Sequence, residues 1–220
     1  MSPSAVKRAW FAGLVVFLLG AAAPVRAGTP ATGWHGLRVE PAKVIHEEPL
    51  LDAQGRSAAF PLKTDKWQLV VFGYTHCADV CPMTLHRAAM LLKRLGDDGA
   101  RLQPVFISID GERDTPEAVR AFTRKFDERI VGLTGGPEAL QAVAGEFSVI
   151  IRRFRGNTSL AYKLEHSSFM YLLDPQGRVR MLYPPSSDIA GIERDLHALW
   201  PPKQAAPGHS FRPDSRDLPP

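Results

Sequence analysis

The sequence predicts a three-layer α/β sandwich around a mixed β-sheet. Short apolar segments typical of strands alternate with segments of helical periodicity, in the order β-α-β-α-β-α-β-β-α after an N-terminal hairpin. The last two strands flank a short Asp-Pro-Gln-Gly turn and should pair antiparallel, which makes the sheet mixed. A chain of 220 residues with 45% hydrophobic and 23% charged residues suffices for one such domain with extensions, and this composition excludes wholesale disorder.

The individual elements follow from local signals. The segment 50–62 predicts a hairpin because Asp-Ala-Gln-Gly supplies its turn. Pro82 suits the first turn of a helix, and Asp114 or Thr115 can cap the start of the next one. The other elements come from apolar periodicity: strands at 36–40, 43–46, 68–74, 101–109, 131–134, 150–154, 161–165, 168–173 and 179–183, and helices at 82–95, 137–146 and 188–200.

Residues 1–27 predict a secretory signal peptide. Lys7 and Arg8 precede an apolar run at 9–23, and a small-x-small cleavage site follows at 25–27. The alternative is an uncleaved membrane anchor, but the run is shorter than the roughly 20 apolar residues that span a bilayer. Cleavage removes three basic residues and no acidic one, so the net charge falls from +4 to +1. Nucleic-acid binding then has neither a motif nor a charge to support it.

The rest of the chain divides into three predicted parts. Residues 28–48 form an N-terminal extension, and residues 49–200 form the globular domain. Residues 201–220 contain six prolines and little apolar material, which predicts a disordered tail.

Two cysteines, Cys77 and Cys81, lie at the turn between the predicted strand 68–74 and the helix that follows. The unpaired N–H groups at a helix start favour an anion, so the pKa of either thiol is expected to fall. This spacing lets the sulfurs form a disulfide or bind one ion. A purely structural bridge would close a loop of only a few residues and stabilise the fold little, so the pair indicates chemistry.

Histidines are the candidate third ligands. His76 adjoins the first cysteine, His86 lies on a different helix face from the second, and His166 is distant in sequence, where a loop meets a strand. Two thiolates and one imidazole suit Cu(I), accept Cu(II) with added ligands, or hold zinc with a fourth ligand. Met83 offers a thioether nearby but is expected in the core. The histidines outside any such grouping are His35, His46, His197 and His209.

Three segments together resemble the Sco/SenC family. They are 75–85 (THCADVCPMTL), 108–116 (SIDGERDTP) and 165–168 (EHSS), and the similarity spans roughly residues 35–200. The resemblance implies a thioredoxin-like fold. Ala78 and Gly111 stand where the family commonly has proline, and Glu165 stands where aspartate is usual; none of these departures removes a ligand.

The resemblance also implies copper binding by Cys77, Cys81 and His166, and a cell-envelope or periplasmic role in building the dinuclear copper centre of cytochrome c oxidase. The partner would be the copper-bearing subunit of that oxidase or another copper acceptor, and a thioredoxin-like reductant is a further candidate. Asp79 matches an acidic family position and either contributes to docking and tuning or is a solvated turn residue. The residues 112–114 form either an ion-pair cluster or, as expected here, a helix start.

Two functions therefore compete. The first is an exported copper metallochaperone. The second is a thiol–disulfide oxidoreductase that cycles Cys77 and Cys81, although their spacing is three residues rather than the two of thioredoxin motifs. A peroxidase would need a Thr-x-x-Cys segment, which Thr75-His76-Cys77 does not supply.

Overall fold

The computed structural model describes residues 33–155 and 162–200. The predicted signal peptide and the proline-rich tail lie outside the described residues. Within them the strands are β1 (Leu37–Val44), β2 (Glu48–Leu51), β3 (Ser57–Phe60), β4 (Trp67–Gly73), β5 (Leu102–Ser108), β6 (Val131–Leu133), β7 (Ile151–Arg155), β8 (Tyr162–His166), β9 (Met170–Leu173) and β10 (Arg178–Tyr183). The helices are α1 (Val80–Leu95), α2 (Pro116–Thr123), α3 (Pro137–Glu146) and α4 (Ile189–Leu199), with a 3₁₀ helix at Gly96–Arg101.

Six strands form the central sheet in the order β1-β10-β9-β4-β5-β6. The strands β4, β5 and β6 are parallel, whereas β9, β10 and β1 each run antiparallel to their neighbour. Every residue of β4 is buried, as expected for a continuous apolar run at the centre of a covered sheet. The predicted mixed sheet is confirmed.

Helices cover both faces of this sheet. Phe106 of β5 packs against Phe122 of α2, with ring centroids 5.5 Å apart, and Gly73 of β4 lies on the same face beneath the first turn of α1. On the opposite face Phe72 contacts Phe147, at the end of α3, with centroids 5.1 Å apart. The helix α4 packs against α1. The three-layer arrangement is therefore confirmed.

The N-terminal part differs from the prediction. The two short strands expected before residue 47 are one strand, β1, which pairs with β10 at the edge of the central sheet. An edge strand tolerates Pro41 because a proline there needs no ladder partner for its nitrogen. The compact unit begins at Trp34. Residues 37–44 of the segment predicted as an extension therefore contribute a strand to the central sheet.

Two short hairpins lie outside the central sheet. The predicted hairpin at 50–62 is confirmed as β2–β3, and Asp52 closes its turn by accepting hydrogen bonds from the backbone of Gln54 (2.8 Å) and Arg56 (3.0 Å). The second hairpin, β7–β8, pairs Ile151 with His166 and forms its own two-stranded sheet. The remaining predicted elements agree with the structure to within two residues at each end.

The helix starts refine the capping predictions. Thr115 caps α2, since its side chain accepts a hydrogen bond from Ala118 N at 3.2 Å, whereas Asp114 is used elsewhere. The helix α1 begins two residues before Pro82, and Asp79 stands at its N-cap without a side-chain capping bond. No helix among the described residues is long and apolar enough to cross a membrane.

Candidate metal centre

The turn between β4 and α1 places the two cysteines beside each other. Cys81 is 1% exposed in the first turn of α1, and Cys77 is half-buried in the turn before it. The backbone N–H of Cys81 donates to Cys77 Sγ at 3.5 Å, so the turn folds the first cysteine back over the helix start. Both thiols are free in this structure, and the disulfide between them remains a prediction.

A glycine in β4 makes room for this arrangement. A Cβ atom on Gly73 would lie 2.9 Å from Cys81 Sγ and 2.7 Å from the Phe106 ring. Any side chain at this position would push the first turn of α1 away from the strand. The sequence-based predictions did not include this role. A glycine at the end of a strand that precedes a cysteine turn nevertheless indicates a close approach of the two backbones.

His166, the last residue of β8, faces the buried cysteine. Its Nε2 lies 3.6 Å from Cys81 Sγ. Because the carbonyl oxygen of Ser167 can only accept, the hydrogen bond of 3.0 Å to it places a proton on His166 Nδ1 and leaves the Nε2 lone pair toward the sulfur. Burial lowers the pKa of His166, while the bond to Ser167 opposes this shift. The imidazole is therefore neutral and oriented as a metal ligand.

Burial has the opposite consequence for the thiol beside it. Loss of solvent raises the pKa of Cys81 well above its ordinary value, and its contact with Cys77 adds to the shift. The expectation that the helix start lowers the pKa of either thiol is wrong for Cys81, because desolvation outweighs the helix dipole. Cys81 is thus a protonated thiol whose proton a bound metal would displace.

A buried carboxylate holds the cysteine turn in place. Asp114 accepts hydrogen bonds from Thr75 N (2.8 Å), Thr75 Oγ1 (2.6 Å) and Ser108 Oγ (2.7 Å). Its own backbone carbonyl accepts from Thr134 Oγ1 at 2.8 Å. Of the two predicted capping candidates, Asp114 is thus the one not used as a cap: its side chain ties the turn to the end of β5, and its carbonyl bonds the residue after β6.

The hairpin β7–β8 is held to the body by side chains. The Arg113 guanidinium lies 3.6 Å from the Tyr162 ring centroid and donates to the Tyr162 carbonyl at 3.1 Å. Arg113 also pairs with Asp110, and the Tyr162 hydroxyl donates to the same carboxylate. Burial, followed by the bond to Asp110, raises the pKa of Tyr162 to about 12, so this hydroxyl stays a donor. Arg153 of β7 lies 3.7 Å from the same ring and pairs with Glu112 at 2.6 Å.

A second contact reaches the hairpin from the cysteine side. Tyr74, one residue past β4, accepts a hydrogen bond of 3.4 Å from Leu164 N through its hydroxyl. Its ring meets the His166 ring edge to face, with centroids 6.4 Å apart. Within the segment 112–114, Arg113 forms an ion pair with Asp110 and Glu112 forms one with Arg153.

The other residues considered as ligands lie elsewhere. His76 is exposed and hydrogen-bonds Thr75 Oγ1 at 3.1 Å. His86 is exposed on α1, and Met83 is 60% exposed, so the expectation that Met83 is a core residue is wrong. The remaining described histidines contact Asp195 (His35), Glu146 (His46) and Trp200 (His197), and His209 lies outside the described residues.

The donors are close but not yet arranged around one point. Across residues 33–155 and 162–200, no three His, Cys, Asp or Glu side chains are placed as a bound metal requires. Cys81 and His166 face each other, whereas Cys77 Sγ is occupied by the Cys81 N–H. Two sulfurs and one imidazole nitrogen nevertheless form a soft donor set, which fits copper better than a hard cation.

The fold and this site define a thioredoxin-like protein whose two cysteines follow a central strand and lie beside a histidine distant in sequence. The model of the SCO1/SenC family matches residues 41–201. The chain belongs to this family, and the resemblance seen in the three sequence segments is confirmed.

Individual relatives agree with this assignment. The chain is 35% identical over 128 residues to the mitochondrial protein SCO1 homolog 1 of Arabidopsis thaliana; the match covers 58% of this chain but only 38% of that protein. Apo Sco1 from Thermus thermophilus is 30% identical, with a TM-score of 0.69 over 79% of this chain and 100% of that one. ScoI of Bradyrhizobium japonicum, solved with copper bound, is 29% identical, with a TM-score of 0.65 over 71% and 99% of the two chains.

Proposed function

We propose that this protein is a copper metallochaperone that binds copper through Cys77, Cys81 and His166. The observation that carries the proposal is the 3.6 Å approach of His166 Nε2 to Cys81 Sγ across 85 residues of sequence. The tautomer of His166 supports it, because the bond to Ser167 leaves the correct nitrogen free for a metal. The copper-bound structure of the Bradyrhizobium relative supports the choice of metal.

The donor set favours Cu(I) as the cargo. Thiolate and imidazole ligands suit this soft ion, and Cu(II) would need additional ligands to complete its coordination. Closing the site on one ion requires the Cys77 side chain to leave the Cys81 N–H and turn toward His166. Because Cys77 is the more exposed sulfur, it is the ligand that an acceptor reaches first, which suits a protein that must release its metal.

The acceptor in this proposal is the copper-bearing subunit of cytochrome c oxidase, and the resemblance to the Sco/SenC family supports this choice. The predicted signal peptide at 1–27 supports export to the periplasm or cell envelope, where such a centre would be loaded.

A second candidate function uses the same sulfurs for disulfide exchange. The close approach of the Cys81 N–H to Cys77 Sγ favours it, since the two side chains already share one turn. In this reaction the two thiols give up two electrons and two protons as the Cys77–Cys81 bond forms, and a disulfide of the acceptor becomes two thiols. A thioredoxin-like reductant would restore the dithiol. Reducing the acceptor's cysteines would also prepare them for copper.

Anaerobic titration of the reduced protein with Cu(I) against a chromogenic chelator tests the first function. We expect one tightly bound equivalent, and His166→Ala should weaken it by about 10- to 100-fold. His197→Ala is the control, because His197 contacts Trp200 away from the site. If His166→Ala binds as tightly as the unchanged protein, the three-ligand site is wrong. A cysteine-pair reduction potential below about −300 mV would count against the second function, because such bridges resist turnover.

A further inference from the structure

The methionines of the described residues fall into two classes. Met170 and Met181 are 2% and 0% exposed in the core, as expected for an apolar side chain. Met83 and Met90 are 60% and 42% exposed, and both lie on α1. His86 is exposed between them on the same helix. We refer to Met83, His86 and Met90 as the soft-donor stripe.

Helix geometry brings these three side chains onto one face. At 3.6 residues per turn, positions 83, 86 and 90 fall within an arc of about 60°, with rises of about 4.5 Å and 6 Å between successive residues. Side chains on a helix lean toward its N-terminus, so Met90 leans toward His86, and His86 toward Met83. Residues three and four apart are neighbours, about 5–6 Å between Cβ atoms, which two ligands of one ion can bridge.

The imidazole of His86 is available to bind a ligand. Within residues 33–155 and 162–200, His86 makes no hydrogen bond or ion pair, unlike His46, which bonds Glu146 at 2.9 Å. Three cations of α1 lie near the stripe: Arg87 donates to the Pro185 carbonyl, Arg94 pairs with Glu193 at 2.6 Å, and Lys93 is exposed three residues after Met90.

We propose that Met83, His86 and Met90 form a second, weaker Cu(I) site on the surface of α1. Thioether and imidazole donors favour Cu(I), and the absence of a carboxylate within the stripe disfavours hard cations such as Mg²⁺. Without a thiolate, the affinity should be at least about tenfold lower than that of the cysteine centre. The site would hold an incoming ion on the helix that carries Cys81. It does not depend on the proposed function, because none of its donors belongs to the cysteine centre.

Methionine-methyl NMR under anaerobic Cu(I) titration tests this site directly. The first equivalent should fill the cysteine centre, and the second should shift the methyl signals of Met83 and Met90. The buried Met170 and Met181 are internal controls and should not move. In Cys77→Ser/Cys81→Ser, the same two signals should shift with the first equivalent. The stripe is refuted if its methyl signals stay fixed while a second equivalent binds, or if no second equivalent binds at all.

A variant separates metal binding from other uses of this face. Met83→Leu/His86→Gln/Met90→Leu conserves volume at exposed positions, so the fold should persist. It should lose the second equivalent and keep the first, whereas His197→Gln should keep both. Retention of the second equivalent by the triple variant would overturn the proposal. If His166→Ala loses the first equivalent but the methyl signals of Met83 and Met90 still shift with Cu(I), the result bears on the cysteine centre and supports the stripe as a separate site. A stripe that serves only as an apolar docking face for a protein would not respond to Cu(I), which is also a negative result.

Discussion

The turn that carries the cysteines and the hairpin that carries His166 are attached to the fold in different ways. The turn follows β4, which is hydrogen-bonded to a strand on either side, and the buried Asp114 fixes it from below. The hairpin forms a separate two-stranded sheet and reaches the body through the side chains of Arg113, Tyr162 and Tyr74 and through the buried Leu164.

This difference separates the two tasks of the site. The backbone of the central sheet sets the position of the sulfurs, whereas a few side-chain contacts set the position of the imidazole. Breaking hydrogen bonds within the sheet would unfold the domain, but loosening the hairpin contacts would only move one ligand. In the proposed copper site, the histidine is therefore the half that can be adjusted as copper enters or leaves.

The strongest test of the comparison is Cys81→Ser. We expect the tight Cu(I) equivalent to weaken by at least about 1,000-fold, because Cys81 is the buried sulfur of the turn and the one that faces His166. The far-ultraviolet circular dichroism should be unchanged, since serine is smaller than cysteine and fits the space next to Gly73. Chelator competition measures the affinity. If Cys81→Ser loses no more Cu(I) affinity than His166→Ala does, the cysteine turn does not contribute more to binding than the hairpin.

The next largest effect is expected for Asp114→Asn, which weakens the anchor of the turn. Hydrogen bonds to a charged acceptor contribute about 1.5–3 kcal/mol each, and we expect the variant to lose about 2–3 kcal/mol of unfolding free energy in urea. Asp127→Asn is the matched control, because its surface pair with Arg129 should contribute at most about 1 kcal/mol. Equal losses in the two variants would contradict an anchoring role for Asp114.

A smaller effect is expected for Tyr162→Phe, which loosens the hairpin and keeps its ring. Removing the hydroxyl that donates to the Asp110 carboxylate should cost about 1.5 kcal/mol, and we expect Cu(I) binding to weaken roughly threefold to fivefold. Amide hydrogen exchange should accelerate in β7 and β8 and stay unchanged in β4. Tyr183→Phe, which changes a buried tyrosine of β10 in the central sheet, serves as the control. Uniform acceleration in both hairpin and sheet would show that the halves are not independent.

The smallest effect is expected for His76→Ala. This histidine adjoins Cys77 in sequence but is bonded to Thr75 and exposed to solvent. Its removal should change Cu(I) affinity less than about twofold and leave stability within about 0.5 kcal/mol. A change comparable to that of His166→Ala would mean that sequence adjacency, rather than the hairpin, supplies the third ligand.

The sequence supported most of the fold because its signals were local. Apolar periodicity and the turn residues located nearly every element, and the cysteine turn was evident from two residues before a helix start. The pairing of His166 with the cysteines came from family resemblance alone, since 85 intervening residues carry no local signal for it. The structure now supplies the contact.

The wrong predictions share a physical cause, which is that each depended on tertiary burial. The helix dipole near Cys81 is local, but the desolvation that overrides it arises from packing on β4. Helical periodicity marked Met83 and Leu85 alike as apolar, and only the placement of α1 shows that Leu85 is buried while Met83 is exposed. Asp114 resembled a cap because Thr115 and Pro116 follow it, whereas its side chain acts 39 residues away.

The hydrogen bonds between Thr75 and Asp114 couple two distant segments of the chain energetically. A residue without a hydroxyl at position 75 would remove one donor from a buried carboxylate, and an apolar residue at 114 would leave the Thr75 N–H without its acceptor. Substitutions at these positions should therefore be non-additive in a double-mutant cycle. The segment before the cysteines and the Glu-Arg-Asp-Thr-Pro segment are thus energetically coupled, so that a replacement in one changes the cost of a replacement in the other.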